Sequence, residues 1–145
     1  MEFKSQVGSF GNNFNNRTEE AIGSAVDIWT AFRNNVFPGD VAPWLGYLMV
    51  VEKSDESTRP VSVSEPHFKV IAEFINTSYL KRYEILCRKL ILERIYTSAG
   101  VIWTEEPKGG VVKYGYMNND LSFETFINSF VGYLSGRSTE FRGEK

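Results

Sequence analysis

The sequence is poor in the residues that build disulfide-linked or metal-linked cores. Its 145 residues include one cysteine, Cys87, and one histidine, His67. A disulfide framework and a zinc cluster are therefore excluded within the chain, and a reducing compartment is expected. Cys87 lies in an apolar helical pattern, so we expect a small buried residue there. His67 has no second histidine with which to form a histidine-based metal cluster.

The chain also lacks a charge excess and long apolar runs. Its net charge is −2, so no overall basicity indicates nucleic acid, although a local basic face could still bind it. The longest apolar runs, such as residues 47–51, are far too short to span a bilayer. The start of the chain lacks the basic-then-apolar order of a signal peptide. We therefore expect a cytoplasmic protein without a membrane partner.

Apolar material is present in the amount that a folded core requires. Hydrophobic residues make up 42% of the chain and aromatic residues 14%, which favours one globular domain over residues 1–145. No repeat or linker divides the chain. Strand-like and helix-like segments alternate, and this alternation predicts an α/β or α+β architecture.

The glycine- and asparagine-rich stretch over residues 8–16 predicts a loop, because both residue types tolerate positive φ. Asn16 and Glu19 then form a capping-box pattern, so a helix is expected directly after the loop. On that helix the small residues Ala21 and Ala25 should lie against a sheet, with Glu20 on the opposite, polar face.

The remaining segments follow from apolar spacing and chain breakers. The spacing predicts a buried strand over 44–52, a long polar loop over 53–68, a helix over 78–96, a short strand over 99–103 with a hairpin-like segment over 111–116 beside it, and a last helix over 123–135 that Gly136 ends.

The start of the chain carries a carboxylate and an ammonium with strand spacing. In an extended strand residues i and i+2 point to the same face, so Glu2 and Lys4 project together. The carboxylate could bind Mg²⁺, and the lysine could hold an attacking water or stabilise a phosphoryl oxygen. The alternative is an exposed charged pair at the end of a strand.

Four segments, "EFKSQVGSFGNNFNNRTEEAIGSAVD", "PWLGYLMVVE", "EPHFKV" and "SYLKRYEILCRKLI", occur in this order between residues 2 and 95. Together they resemble the XhoI family of type II restriction endonucleases, within the PD-(D/E)xK nuclease superfamily. The resemblance implies a partial nuclease core with a mixed central sheet flanked by helices. It also implies Mg²⁺-dependent hydrolysis of duplex DNA, with the family cutting at CTCGAG. Residues 105–145 form an unassigned extension.

By the same resemblance Glu2 is a metal-binding carboxylate and Lys4 the catalytic lysine, with Ser5 and Gln6 near the scissile phosphate. The superfamily's metal-binding aspartate lies on a strand N-terminal to this motif, and the sequence has no such strand. None of its other aspartates has the expected order; they are Asp27, Asp40, Asp55 and Asp120. We therefore expect the C-terminal part of such an enzyme, with its N-terminal strands missing and little or no activity alone.

Two interpretations of the missing strand and aspartate remain. An upstream segment could supply the missing strand and aspartate, or the chain could be a non-catalytic DNA-binding remnant. A palindromic site would suit a two-fold homodimer.

Several polar residues are candidates for contact with DNA. Asn12 and Asn13 could bond adenine edges, with turn geometry as the alternative, and Arg17 could contact guanine or phosphate. The long loop offers Arg59 and His67 for base readout, and for His67 a packing role in the loop is the alternative. A basic helix face could track phosphates or be merely solvated; its residues are Lys81, Arg82, Arg88 and Lys89.

Overall fold

The computed structural model describes residues 1–37, 41–65, 67–107 and 109–140; Asp40 lies outside them. Its helices and strands are β1 (Glu2–Gln6), α1 (Phe10–Arg33), β2 (Gly46–Glu52), α2 (Asp55–Thr58), α3 (Tyr79–Leu92), β3 (Ser98–Thr104), β4 (Tyr114–Gly115) and α4 (Phe123–Glu140). Two short 3₁₀ turns, Ala72–Phe74 and Asn119–Leu121, precede α3 and α4.

The strands form one mixed sheet in the order β1-β2-β3-β4. β1, β2 and β3 are parallel, and β4 runs antiparallel to β3. Parallel neighbours need long crossovers, which α1 and α3 provide. The predicted α/β (α+β) architecture, with a mixed sheet flanked by helices, is confirmed. β1 lies at one edge of this sheet, with β2 as its neighbour.

The two faces of the sheet carry separate cores. Side chains alternate along β2, so Tyr47 and Met49 join the main core with α1 and α3, whereas Leu48 joins a smaller core with α4. Ala21 and Ala25 are fully buried in the main core. The prediction that these small residues lie on the face of α1 that packs against the sheet is confirmed.

Trp44 and Phe126 fill the smaller core over a glycine of β2. A Cβ on Gly46 would lie 2.1 Å from the Trp44 ring and 2.8 Å from the Phe126 ring. Any larger residue at this position would push the two rings off the sheet. The Trp44 indole also donates to the Ser129 hydroxyl on α4 at 3.0 Å. Gly46 therefore allows the close contact that holds α4 on its face of the sheet.

The start of α1 differs from the sequence prediction. The helix begins at Phe10, so the predicted loop over 8–16 and the predicted cap at Asn16 are wrong. Ser9 precedes the helix with a positive φ of 48° and makes no side-chain cap. Phe10 stacks on Tyr79 with ring centroids 5.9 Å apart. Packing against α3 therefore outweighs the weak helix propensity of glycine and asparagine.

The later segments agree with prediction except at their ends and at α2, a short helix inside the predicted loop over 53–68. β3 and the short β4 occur where a strand and a hairpin-like segment were predicted. The helix predicted over 78–96 ends at Leu92. α4 continues through Gly136 to Glu140, so the predicted stop at Gly136 is wrong. Across the described ranges, no helix combines the length and apolar character that a bilayer crossing requires.

Candidate active site

β1 presents Glu2, Lys4 and Gln6 to the side of the sheet that α1 covers. Glu2 is in register with Tyr47 and Lys4 with Met49, and both partners belong to the main core beneath α1. The alternate side chains point the other way, where Phe3 is 62% exposed. The expectation that Glu2 and Lys4 project together is confirmed by the distance of 3.3 Å between Glu2 Oε1 and Lys4 Nζ.

Lys4 also meets a second carboxylate, which comes from α1. Its Nζ lies 3.0 Å from Glu20 Oε2, and Arg17 Nη1 lies 2.8 Å from the same oxygen. Carboxylates and cations therefore alternate in the order Glu2, Lys4, Glu20 and Arg17. Arg17, predicted as a DNA contact, is brought to the site by this link.

The charges of this row reinforce one another. The Glu20 hydrogen bond, aided by Glu2, raises the pKa of Lys4, and partial burial offsets only part of that rise. Lys4, and then Arg17, lower the pKa of Glu20. Lys4 is therefore an ammonium and Glu20 a carboxylate at neutral pH.

Glu20 was not among the site residues predicted from the sequence, because helical spacing puts it on the polar face of its helix. Glu20 immediately precedes the fully buried Ala21, so it lies at the border of the buried face. From that border a long side chain can reach around the helix to β1. The sequence feature that could have predicted Glu20 is an acidic residue next to a buried small residue, on the helix that follows the Glu-x-Lys strand.

Tyr96 contacts the other oxygen of Glu2. The Tyr96 hydroxyl lies 2.6 Å from Glu2 Oε2 and 2.9 Å from the carbonyl oxygen of Ala21. The residue is 4% exposed and lies between α3 and β3. Burial, and then the Glu2 carboxylate, raise the pKa of this phenol, so it remains a donor. Tyr96 was not predicted as a site residue, and it is 94 residues away from Glu2 along the chain.

A cavity of about 320 Å³ opens beside Glu2 and Tyr96. It has space for a small ion with its water shell. The cavity lies where β1 and β2 begin, beneath the middle of α1, and its lining residues are Met1, Glu2, Ser24, Ile28, Leu45, Gly46 and Tyr96.

The donors of the site suit Mg²⁺ in the form in which proteins usually bind it. Mg²⁺ commonly takes one or two carboxylates and completes its shell with waters and substrate phosphates. Glu2 and Glu20 offer two carboxylates that both contact the Lys4 ammonium, and of these two Glu2 lines the cavity. Among the described residues no group of three or more His, Cys, Asp or Glu side chains could hold a metal. Asp27, Asp55 and Asp120 therefore do not complete such a group.

Ser5 and Gln6 follow the pair along β1. Ser5 is exposed on the face opposite to Lys4. Gln6 is 3% exposed; its amide donates to the Gly8 carbonyl, and its Oε1 has no hydrogen-bond partner among the described residues. Their position beside a scissile phosphate stays a prediction.

The remaining candidates for DNA contact lie apart from Lys4. Asn12 is exposed and Asn13 half-buried in the first turns of α1. Arg59 lines a separate polar pocket of about 450 Å³ near the start of α3, together with Gly11. His67 is exposed in the segment before α3. Within the described ranges, no hydrogen bond or ion pair joins these residues to Lys4, and their role in binding DNA stays a prediction.

Each basic residue predicted on α3 has a partner within the chain. Lys81 and Arg88 bind the buried Glu84 carboxylate at 2.8 and 3.3 Å. Lys89 binds Glu73 at 2.7 Å. Arg82 donates to the Thr77 hydroxyl at 3.2 Å and lies over the Tyr79 ring. The side chains of Lys81, Arg88 and Lys89 are still 38–45% exposed, so a solvated face and a phosphate-binding face both remain open.

Comparison with known proteins gives a family match over most of the chain. The family model described as restriction endonuclease XhoI matches residues 1–116. The type II restriction enzyme BstVI of Geobacillus stearothermophilus is 51% identical over 93% of this chain and 61% of its own length. The type II restriction enzyme XhoI of Xanthomonas vasicola is 54% identical over 64% of this chain and 38% of its own.

A shorter match involves the type II restriction enzyme AbrI of Azospirillum brasilense, which is 57% identical over 48% of this chain and 32% of its own length. No solved structure matches significantly. The chain thus spans less than two thirds of the length of each of these relatives.

Proposed function

The chain belongs to the XhoI restriction endonuclease family, and on that premise we propose that it is part of a type II restriction endonuclease. The enzyme hydrolyses phosphodiester bonds of duplex DNA with Mg²⁺, at CTCGAG, in the cytoplasm as part of a restriction-modification system. The observation that carries the proposal is the Lys4 ammonium, 3.3 Å from Glu2 and 3.0 Å from Glu20, inside the matched region.

The reaction adds water across a phosphodiester. A water oxygen attacks phosphorus, one P–O ester bond breaks, and the departing oxygen takes a proton, which leaves an alcohol and a phosphomonoester. Glu2 and Glu20 would hold a Mg²⁺ ion, which would neutralise charge on the phosphate and lower the pKa of a bound water. The other roles belong to side chains of the protein.

Lys4 acts as a fixed positive charge. Because its pKa is raised, it cannot serve as the base at neutral pH. It can donate hydrogen bonds to a phosphoryl oxygen, where charge accumulates during attack, or hold the attacking water. Arg17, bound to the same Glu20 oxygen, offers a second cation for the neighbouring phosphate.

A further segment completes the enzyme. The relatives are longer than this chain, and among the described residues β1 pairs with β2 alone. We place an upstream strand carrying the missing aspartate along the outer edge of β1, where it brings a third carboxylate to the site. Without that carboxylate the cation has fewer fixed ligands, and the chain alone is weakly active or inactive.

A hybrid enzyme tests the proposal. The matched part of BstVI is replaced by this chain, and the hybrid, the chain alone and BstVI are incubated with Mg²⁺ and duplex DNA that contains or lacks CTCGAG. We expect site-specific cutting by the hybrid and weak or no cutting by the chain. Lys4→Ala and Glu2→Gln should abolish cutting, whereas the neighbouring helix variant Glu19→Gln should retain it. A folded hybrid that leaves CTCGAG-containing DNA uncut in the presence of Mg²⁺ would contradict the proposal.

The alternative is a DNA-binding module without chemistry. It is favoured by the half-exposed cations of α3, which would suit phosphate binding in the absence of a metal site. Salt-dependent DNA binding by a hybrid that never cuts would favour this alternative. A second copy related by two-fold symmetry would suit a palindromic site in either case, and light scattering with and without the DNA measures it.

A further inference from the structure

We propose that Tyr96 is the positioning residue of the Glu2 carboxylate. Its hydroxyl donates to Glu2 Oε2, so that Oε1 stays directed at Lys4. The carboxylate therefore keeps one orientation toward a bound metal ion. The inference rests on the proposed function, in which Glu2 is a metal ligand, and it assigns a role to a residue of the main core.

The hydrogen-bond geometry favours the carboxylate as the acceptor. A phenol has one proton, and the Tyr96 hydroxyl lies near two acceptors, Glu2 Oε2 at 2.6 Å and the Ala21 carbonyl at 2.9 Å. The shorter distance is in the range of charge-assisted O–H···O⁻ bonds, which are stronger than bonds to a neutral carbonyl. The proton therefore goes to Glu2, and the Ala21 carbonyl limits where the hydroxyl can move.

Tyr96 is itself held firmly. Its ring packs against Tyr47 with centroids 5.5 Å apart, and its backbone N–H donates to the Leu90 carbonyl at 3.0 Å. The preceding residue, Ile95, accepts a 2.9 Å hydrogen bond from the Trp29 indole. These contacts fix the residue to α1, α3 and the sheet at once, so it is a rigid support for a side chain near the start of an edge strand.

The two oxygens of Glu2 thus have separate partners, Lys4 on Oε1 and Tyr96 on Oε2. A carboxylate with both oxygens engaged cannot rotate freely about its terminal bond. Groups that hydrogen-bond to a metal-ligating carboxylate typically change metal affinity or activity by about 10-fold to 100-fold when removed. Loss of the Tyr96 hydroxyl should therefore weaken the cation site while Glu2 remains in place.

The test measures Mn²⁺ binding to the chain by electron paramagnetic resonance, without DNA, in unmodified protein and in Tyr96→Phe. The matched control is Tyr47→Phe. This variant also removes a buried hydroxyl, from the ring that packs against Tyr96, but that hydroxyl contacts the Met49 sulfur at 3.8 Å and not Glu2. Glu2→Gln shows which part of the signal depends on Glu2. We expect Tyr96→Phe to raise the dissociation constant about tenfold or more, with Tyr47→Phe unchanged and all variants folded by circular dichroism.

A second measurement does not require folded Tyr96→Phe. The protein is labelled with ¹³Cζ-tyrosine, and the Tyr96 resonance of the unmodified protein should shift when Mg²⁺ is added. The same resonance should also be shifted in the Glu2→Gln variant, whereas the Glu19→Gln variant should show it unchanged. Equal Mn²⁺ affinity of Tyr96→Phe and unmodified protein, or a Tyr96 resonance indifferent to Glu2→Gln, would overturn the inference alone. Absence of any Mn²⁺ binding that depends on Glu2 would overturn the metal role of Glu2, and the inference with it.

Discussion

The Lys4 ammonium on β1 lies 3.0 Å from Glu20 Oε2 on α1, so the helix adds a carboxylate to a site that the strand alone would leave with one. Lys4 is shared, because Glu2 Oε1 also lies 3.3 Å from its ammonium nitrogen. The site is therefore a joint feature of β1 and the crossover helix that follows it.

Replacing Glu20 tests this joint arrangement. Glu20→Gln keeps the shape of the side chain but removes its charge from Lys4, Arg17 and the cation. We expect cleavage by the BstVI hybrid and Mn²⁺ affinity to fall by about 10-fold to 100-fold. Glu19→Gln is the control, since Glu19 is exposed on the same helix turn. If the two variants cut and bind Mn²⁺ equally well, Glu20 has no part in the site.

The basic residues of α3 can be tested through the salt dependence of DNA binding. If Lys81 and Arg88 neutralise phosphates, replacing each with glutamine should reduce the slope of log affinity against log salt by about 1. The control is Lys53→Gln, because Lys53 is a half-exposed lysine paired with Glu105 at the end of β2. Fluorescence anisotropy over a salt series measures the slopes. Unchanged slopes for both α3 variants would indicate a merely solvated face.

Two glycines allow a paired test of packing. In Gly46→Ala the new Cβ would meet the Trp44 ring at 2.1 Å, so we expect a loss of about 1–3 kcal/mol in the free energy of unfolding. Gly23 lies inside α1, and apart from its chain neighbours and the nearby backbone of the helix nothing lies within 4 Å of an added Cβ. Gly23→Ala should therefore raise the free energy of unfolding by up to about 1 kcal/mol. Urea titration measures both, and equal effects would contradict the close contact at Gly46.

Cys87 should respond to alkaline pH through its burial. The thiol is fully buried, and burial raises its pKa to about 12. In the unfolded chain the thiol ionises at its ordinary pKa of 9.0. The stabilising contribution of the protonated thiol is therefore complete below pH 9 and declines as the pH rises toward 12.

Cys87→Ala is the comparison variant for this test. Urea unfolding between pH 8 and pH 11 should show a steeper decline in stability for the unmodified chain than for the variant. A thiol reagent at pH 8 should label Cys87 only when urea unfolds the chain. Rapid labelling of the folded protein would contradict the burial of Cys87.

The features predictable from sequence are those that local spacing encodes. The two-residue period placed Glu2 and Lys4 on one face, and an apolar run identified β2. The start of α1 escaped prediction because it depends on rings of α3 that lie far along the chain; Phe10 contacts Tyr79. Tyr96 escaped for the same reason, since its contact with Glu2 spans 94 residues. Long-range contacts leave no periodic mark in either segment that they join.

The position of β1 at the sheet edge makes the chemistry conditional on a local folding equilibrium. β1 has five residues and is paired with β2, and among the described residues its other edge has no strand. Short edge strands open at a lower free energy than central ones. Each opening would separate Lys4 from Glu20, so in the proposed enzyme the fraction of time that β1 is docked would set the upper limit of turnover. If the proposed function holds, a strand bound to the outer edge would raise that limit, and assembly of the sheet would then control DNA cutting.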